Sequence, residues 1–236
     1  MRLDKYLADM GEGKRSELKK QIRQGMAAVN GGVIRDPGYP VSAEDTVSFG
    51  GKIVRYEEFV YYMLNKPAGV ISATEDSRQE TVLDLLHETV RRDLFPVGRL
   101  DRDTEGLLLL TNDGQLAHRL LAPGRHVDKV YFARIRGSLA EDAEEQFRKG
   151  MRVDDSLTAK PAELKILRTL PDQTAETEVT IREGKYHQVK RMFRAAGAEV
   201  LYLKRLRMGS LILDPELAPG EYRRLTSEEL ALLKEY

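Results

Sequence analysis

Apolar side chains recur at helical spacing at the start of the chain, at Leu3, Tyr6, Leu7 and Met10 and then, after Gly11 and Gly13, at Leu18, Ile22 and Met26. The pattern predicts two short helices, the second stopped by Gly25. AAVNGGVI then reads as two short strands about an Asn-Gly turn, followed by the turn-rich RDPGYP and the strand-like DTVSFGG. These elements make a small first domain over residues 1–57, closed by a polar junction near GGKIVRYEE, and leave residues 58–236 as a second.

In the second domain the strand candidates are FVYYML, LFPVGRL, GLLLLT, KVYFARI, AELKIL, AETEVTI and EVLYLKRLRMGSLIL. Helices are predicted near TVLDLLHET, QLAHRLL, EDAEEQFRKG and YHQVKRMFRAA, and in the tail, where Thr226, Ser227, Glu228 and Glu229 form a capping box ahead of LALLKEY. The alternation is irregular and several strands are consecutive. The expected fold class is therefore α+β: a small N-terminal domain, then a mixed, mainly antiparallel sheet with helices packed on it, not a doubly wound parallel one.

Composition narrows the chemistry. With no Cys among 236 residues, a disulfide framework, a thiolate zinc site and a cysteine nucleophile are all excluded. The His residues at 87, 118, 126 and 187 lack metal-ligand spacing, and there is no GxGxxG or GxxxxGK[ST], so neither a metal nor a nucleotide cofactor is expected. No apolar run approaches the roughly 20 residues of a membrane span, and the N-terminus has no signal-peptide stretch, so a cytoplasmic protein without membrane attachment is expected.

Lys plus Arg and Asp plus Glu balance at 38 each, but unevenly along the chain. Residues 1–56 carry ten basic against seven acidic side chains, and residues 182–207 carry eight against two. Residues 140–178 and 214–236 are net acidic. Two basic patches separated by acidic ground fit a directional nucleic-acid site. Lys14, Arg15, Lys19, Lys20 and Arg23 sit on the polar side of one amphipathic helix and are the first candidates for RNA-backbone contacts. Lys185, Lys190, Arg191 and Arg194 form a second basic stripe.

The most informative stretch is GRLDRDTEGLLLLTNDG, residues 98–114. A charged turn precedes Leu107 to Leu110, a run suited to a fully buried strand. Four acids crowd near the turn: Asp101, Asp103, Glu105 and Asp113. Ordinary turn and cap duties account for most such acids. Asp101 differs because it follows an apolar Leu beside Arg99 and Arg102, where a carboxylate can be both desolvated and held ionised.

Together with YYMLNKPAG, DKVYFARIRG and EGKYHQVKRMF, this stretch resembles the signature sequences of the RsuA-type pseudouridine synthases, the small-subunit (16S) rRNA branch of the bacterial rRNA enzymes. The first 56 residues resemble the alpha-L RNA-binding domain that this family carries at its N-terminus. The resemblance implies that the N1 to C1′ bond of a uridine in RNA is broken and the uracil rejoined through C5, without cofactor or metal. It implies Asp101 as the essential carboxylate, acting as nucleophile at the sugar or as base on the C2′ proton, and Tyr131 as the ring stacked on the uracil. Lys190 matches the basic partner of the carboxylate, with Arg191 adjacent as the alternative. Arg99, Arg102, Lys185, Arg191 and Arg194 join the five cations of the first domain as RNA-contact candidates. The expected partner is ribosomal RNA or a small-subunit assembly intermediate, met by a monomeric enzyme.

From the residues alone, Tyr131 in VYF reads as strand packing, and Lys66 and Pro67 read as shaping a turn near the site. His187 receives no catalytic role. Two rivals remain at this level. A glycosidase would pair Asp101 with Glu105 or Asp113, but aromatics are only 7% of the chain with no Trp for a sugar platform. A noncatalytic RNA-binding assembly factor would use the same basic patches. Within the family, YHQVKRM and the PGEYRRLT tail favour a small-subunit target over the large-subunit (23S) alternative.

Overall fold

A computed structural model describes residues 1–87, 91 and 93–236. The chain divides into two compact units, Met1–Val60 with Leu86–Phe95, and Tyr61–Leu85 with Pro96–Tyr236.

In the first unit, α1 (Leu3–Asp9) and α2 (Arg15–Arg23) precede β1 (Ala27–Val29), β2 (Gly32–Ile34), β3 (Val47–Phe49) and β4 (Lys52–Val54). The strands form an antiparallel sheet in the order β2-β1-β3-β4. Leu3, Leu7, Leu18 and Ile22 from the helices meet Val29, Val47 and Phe49 from the sheet in one apolar core. The Asn30-Gly31 turn takes positive φ at both residues, 50° and 81°, as a two-residue hairpin twisted with its strands requires. Within GGKIVRYEE, residues 52–54 form the second arm of a hairpin, with Phe49 opposite Lys52. Gly50 and Gly51 supply the turn that makes this possible, a signal obscured by the polar residues around it.

The second unit is built on β5 (Tyr61–Lys66), β6 (Phe95–Pro96, at the boundary between the units), β7 (Glu105–Thr111), β8 (Lys129–Gly137), β9 (Met151–Asp154), β10 (Leu157–Ala159), β11 (Glu163–Thr169), β12 (Thr174–Ile181), β13 (Ala198–Met208), β14 (Leu211–Ile212) and β15 (Tyr222–Arg224). Its helices are α3 (Gly114–Leu121), α4 (Ala143–Lys149), α5 (Gln188–Ala195) and α6 (Ser227–Lys234). The main sheet runs β11-β12-β8-β13-β7-β5-β15. Along that path β13 and β7 are parallel and the other pairs antiparallel, so the sheet is mixed and mainly antiparallel within an α+β fold.

Gly106 makes the parallel join possible. Its φ is +100°, and a Cβ there would lie 2.3 Å from the Arg205 carbonyl oxygen and 2.7 Å from its nitrogen. Only glycine lets β7 approach β13 so closely, directly after the turn that carries Asp101.

Several predicted elements differ. TVLDLLHET forms no helix over residues 81–87: Thr81 bridges to Ile71, residues 82–85 turn, and residues 88–90 lie outside the described ones. Asp84 accepts hydrogen bonds from the Thr81 N–H and hydroxyl, which closes the turn on itself. LFPVGRL contributes only the two residues of β6, and EVLYLKRLRMGSLIL splits at Gly209 into β13 and β14. The hairpin β9–β10 and the edge strand β15 have no counterpart in the sequence reading, being only three or four residues long. The tail has the predicted capping box, Thr226 accepting from the Glu229 N–H while Glu229 accepts from the Thr226 N–H. Among the described residues no helix is long and apolar enough to cross a membrane.

Candidate active site

Asp101 sits in a turn locked from below. The Thr104 N–H closes that turn on the Asp101 carbonyl at 3.0 Å. Lys66, fully buried at the end of β5, donates to the carbonyls of Pro67, Arg102 and Thr104. The Ser72 hydroxyl both donates to the Leu100 carbonyl and accepts from the Leu100 N–H. Arg102 and Gly69 exchange two further bonds, Gly69 N–H to Arg102 carbonyl and Arg102 Nε to Gly69 carbonyl. The LNKPAG segment is therefore the template on which the Asp101 turn is cast. Burial pushes the Lys66 ammonium down to about 8, against the pull of the Asp103, Glu105 and Asp101 charges.

The second wall comes from α5. His187, in the left-handed region at φ 49°, turns the chain into the helix. Gln188 pins that turn: its Oε1 accepts from the Lys185 N–H, and its Nε2 donates to Glu183. Lys190 Nζ then lies 3.2 Å from Asp101 Oδ2 and 2.5 Å from Asp103 Oδ1, while His187 Nε2 lies 3.6 Å from Asp101 Oδ1. The third wall is β8, whose buried Tyr131 lines the same cleft as Asp101, Leu100, Lys190 and Val189.

The four acids of the turn separate by partner. Asp113 caps α3, accepting from the Leu116 N–H, and takes the Tyr61 hydroxyl on its other oxygen. Glu105 accepts the Tyr202 hydroxyl, which burial and that carboxylate together push up to about 12. Desolvation works to raise Asp103, but the hydrogen bond and charge of Lys190, with the Asp103 backbone N–H and the His187 charge, together hold it below the usual carboxylate range. Asp101 alone combines the cleft with a cation and an imidazole. With Glu105 and Asp113 committed to tyrosines, the glycosidase pairing loses both of its second carboxylates.

The cation facing Asp101 is not the neighbouring Arg102, which is turned to Gly69, but a lysine 89 positions along the chain. Arg191 points elsewhere: its guanidinium grips the Asp154 carboxylate and the Ser156 hydroxyl, tying α5 to the β9–β10 hairpin. Arg99 and Lys185 are exposed at the cleft, and Arg194 is exposed on α5. On α2, Lys14, Lys20 and Arg23 are exposed and Lys19 is half-buried. Arg15 donates twice to Asp4, a fully buried carboxylate also held by Arg2. Sequence reasoning gave His187 no catalytic role and did not single out Arg205. A histidine before an amphipathic helix carries little signal, whereas Arg205 breaks the apolar alternation of β13 and could have been marked on that ground.

Comparison with known proteins identifies the family of the chain. The model of the RNA pseudouridylate synthase family matches residues 60–195, and the S4 domain model matches residues 1–47. The chain is 50% identical, over all of its length and 99% of the relative's, to an uncharacterized RNA pseudouridine synthase, YtzG, of Bacillus subtilis. It is 40% identical to ribosomal small subunit pseudouridine synthase A of Escherichia coli, over 98% of this chain and 99% of that one. A crystal structure of a pseudouridylate synthase matches with a TM-score of 0.69 at 37% identity, covering 99% of both chains. The chain belongs to the RsuA-type family of RNA pseudouridine synthases.

Proposed function

We propose that this enzyme isomerises a specific uridine of 16S ribosomal RNA to pseudouridine, with Asp101 as its catalytic carboxylate. The observation that carries the assignment of Asp101 is its place in a cleft between the Tyr131 ring and the Lys190 ammonium, 3.2 Å away. A uridine turned out of its RNA stack needs a ring to lie against and a carboxylate at its sugar, and the cleft offers both. Lys190 keeps a cation beside Asp101 when the bound base excludes water. The small-subunit target is supported by the name of the 40% identical relative and by the YHQVKRM sequence of this chain.

Residues 1–57 serve as the RNA-binding domain and residues 58–236 as the catalytic domain in this reading. Lys14, Lys20 and Arg23 meet backbone phosphates, which position the RNA without reading its sequence.

The test is chemical mapping of pseudouridine in transcribed 16S rRNA and in a small-subunit assembly intermediate after incubation with the enzyme. The expected result is one modified site, absent with Asp101→Asn. Modification of 23S rRNA instead would move the target to the large subunit. Binding without modification in either RNA would leave a noncatalytic assembly factor.

A further inference from the structure

A second cavity, of about 410 Å³, shares Tyr131, Arg99 and Lys185 with the Asp101 cleft. Its floor holds two buried cations, Lys129 of β8 at 8% exposure and Arg205 of β13 at 2%. They lie on one face of the sheet: Arg205 pairs with Tyr131 across the ladder, and Lys129 precedes Tyr131 by two residues.

Arg205 donates Nε to the Leu107 carbonyl at 2.7 Å, while its buried Nη2 has no acceptor among the described residues. Lys129 Nζ donates to the Val127 carbonyl at 2.9 Å. Among the described residues neither forms an ion pair with a carboxylate. The other charged walls are already committed. Arg182 pairs with Asp128 and Glu163, and the Glu183 carboxylate accepts from Gln188 and from the Lys160 N–H. Lys160 and Lys185 stand exposed at the rim.

Two adjacent buried cations without a counter-ion destabilise a fold, and burial together with the Arg205 charge pushes the Lys129 ammonium down to about 8. An anion in the cavity relieves that cost and gives Nη2 its missing acceptor. We propose that the cavity seats a backbone phosphate of the substrate RNA beside the extruded uridine, with Lys129 and Arg205 as its floor and Lys160 and Lys185 at its rim. This rests on the reading that the uridine enters the Asp101 cleft: since Tyr131 borders both spaces, a base on its ring brings a neighbouring phosphodiester to the cationic floor.

The test measures binding of the full-length enzyme to transcribed 16S rRNA over a salt series, together with pseudouridine formation and thermal unfolding. Lys129→Met is expected to fold, to raise Kd and KM at least about tenfold with kcat retained, and to flatten the slope of log affinity against log salt by roughly 0.7 to 0.9. Lys129→Arg should keep both the affinity and the slope. If Lys129→Met does not fold, the exposed pair Lys160→Ala with Lys185→Ala decides by the same slope. Folded variants with unaltered affinity and slope overturn the proposal. So does a wild-type protein stabilised by inorganic phosphate through Lys129 whose RNA affinity is indifferent to that residue, since the cavity would then take free phosphate. A wild-type enzyme that leaves 16S rRNA unmodified fails the functional reading; an active wild type with unaltered variants fails this inference alone.

Discussion

Lys190 Nζ stands between two carboxylates of one turn, 3.2 Å from Asp101 and 2.5 Å from Asp103. One ammonium therefore serves two anions, and the more exposed Asp103 competes for it. Lys190→Met keeps the length and apolar stem of the side chain but leaves Asp101 without its cation. A hydrogen bond to a charged group is worth about 1.5–3 kcal/mol, so kcat should fall roughly 10- to 150-fold with RNA affinity nearly unchanged. Lys190→Arg should recover part of the loss, its planar head fitting the two carboxylates differently. Single-turnover kinetics of pseudouridine formation check this, and Arg191→Met in parallel should lower thermal stability more than kcat, because Arg191 ties α5 to the β9–β10 hairpin.

Tyr131 should act through its ring. Tyr131→Phe keeps the stacking face and should keep RNA affinity, whereas Tyr131→Leu should lose about 1–3 kcal/mol of base stacking. The comparison is made on kcat/KM, with unfolding midpoints as the control for packing, since Tyr131 is also buried in β8. If Phe proves as damaging as Leu in a folded enzyme, the hydroxyl carries the role.

How much of this was legible in the sequence depends on where each interaction is encoded. Local patterns were sufficient for the amphipathic α2, the Asn30-Gly31 hairpin and the Thr226 capping box, because each is set by residues a few positions apart. The Asp101 turn stood out for its density of acids, but the partners that distinguish Asp101 from Glu105 and Asp113 come from α5, β13 and β5. No periodicity reveals such long-range pairing. The second basic stretch illustrates the same limit: Arg182, Arg191 and Arg205 read as one cationic surface, yet two are tied to carboxylates and one is buried in the sheet. TVLDLLHET has a helical composition that a single Thr81–Asp84 turn overrides.

On α2 the expected effects divide by partner. Replacing Lys14, Lys20 and Arg23 together by Ala removes exposed charge and should leave unfolding unchanged. RNA affinity should fall, and its salt slope should flatten by roughly 0.7 to 0.9 per lost contact. Arg15→Ala should behave differently, since it strips a fully buried Asp4 of one of its guanidinium partners. Leaving a buried charge short of a partner costs about 3–5 kcal/mol when it is complete. With Arg2 still in place, a loss of about 1–3 kcal/mol by denaturant titration is expected.

Gly106→Ala tests the join between β7 and β13. The added methyl would meet the Arg205 backbone at 2.3 and 2.7 Å in a φ of +100°, so the strands must part or the residue must strain. A loss of at least about 3 kcal/mol in unfolding free energy is expected, with activity falling further than stability alone explains, because the Asp101 turn leads directly into Gly106. An enzyme as stable and active as wild type would mean that the parallel join is dispensable.

The last expectation concerns pH and the two buried lysines. Lys66 and Lys129 are each pushed down to about 8 by burial, from an ordinary value of 10.5. A lysine with a lowered folded-state value binds fewer protons than the unfolded chain does between those two limits. Stability should therefore rise with pH across about 8 to 10.5, the reverse of a salt-bridged lysine. The charged groups acting on Lys129 are Arg205 from β13, which lowers it, and Asp128 just before β8, which raises it and is itself shared by Arg182 and Arg207. Other groups titrate in that range, so the clean observable is the difference between wild type and Lys129→Met. At pH 7 the variant should be more stable by about 1–3 kcal/mol, as an uncompensated buried charge is gone. Toward pH 10 the gap should narrow to a fraction of that, and it should close only above the unfolded value of 10.5. Lys66→Met should run the other way at pH 7, since it strands the carbonyls of Pro67, Arg102 and Thr104 that Lys66 satisfies. Denaturant titrations of the three proteins at pH 7, 8, 9 and 10 measure all of this. A Lys129→Met enzyme less stable than wild type at pH 7 would mean that the ammonium already has its counter-charge within the fold.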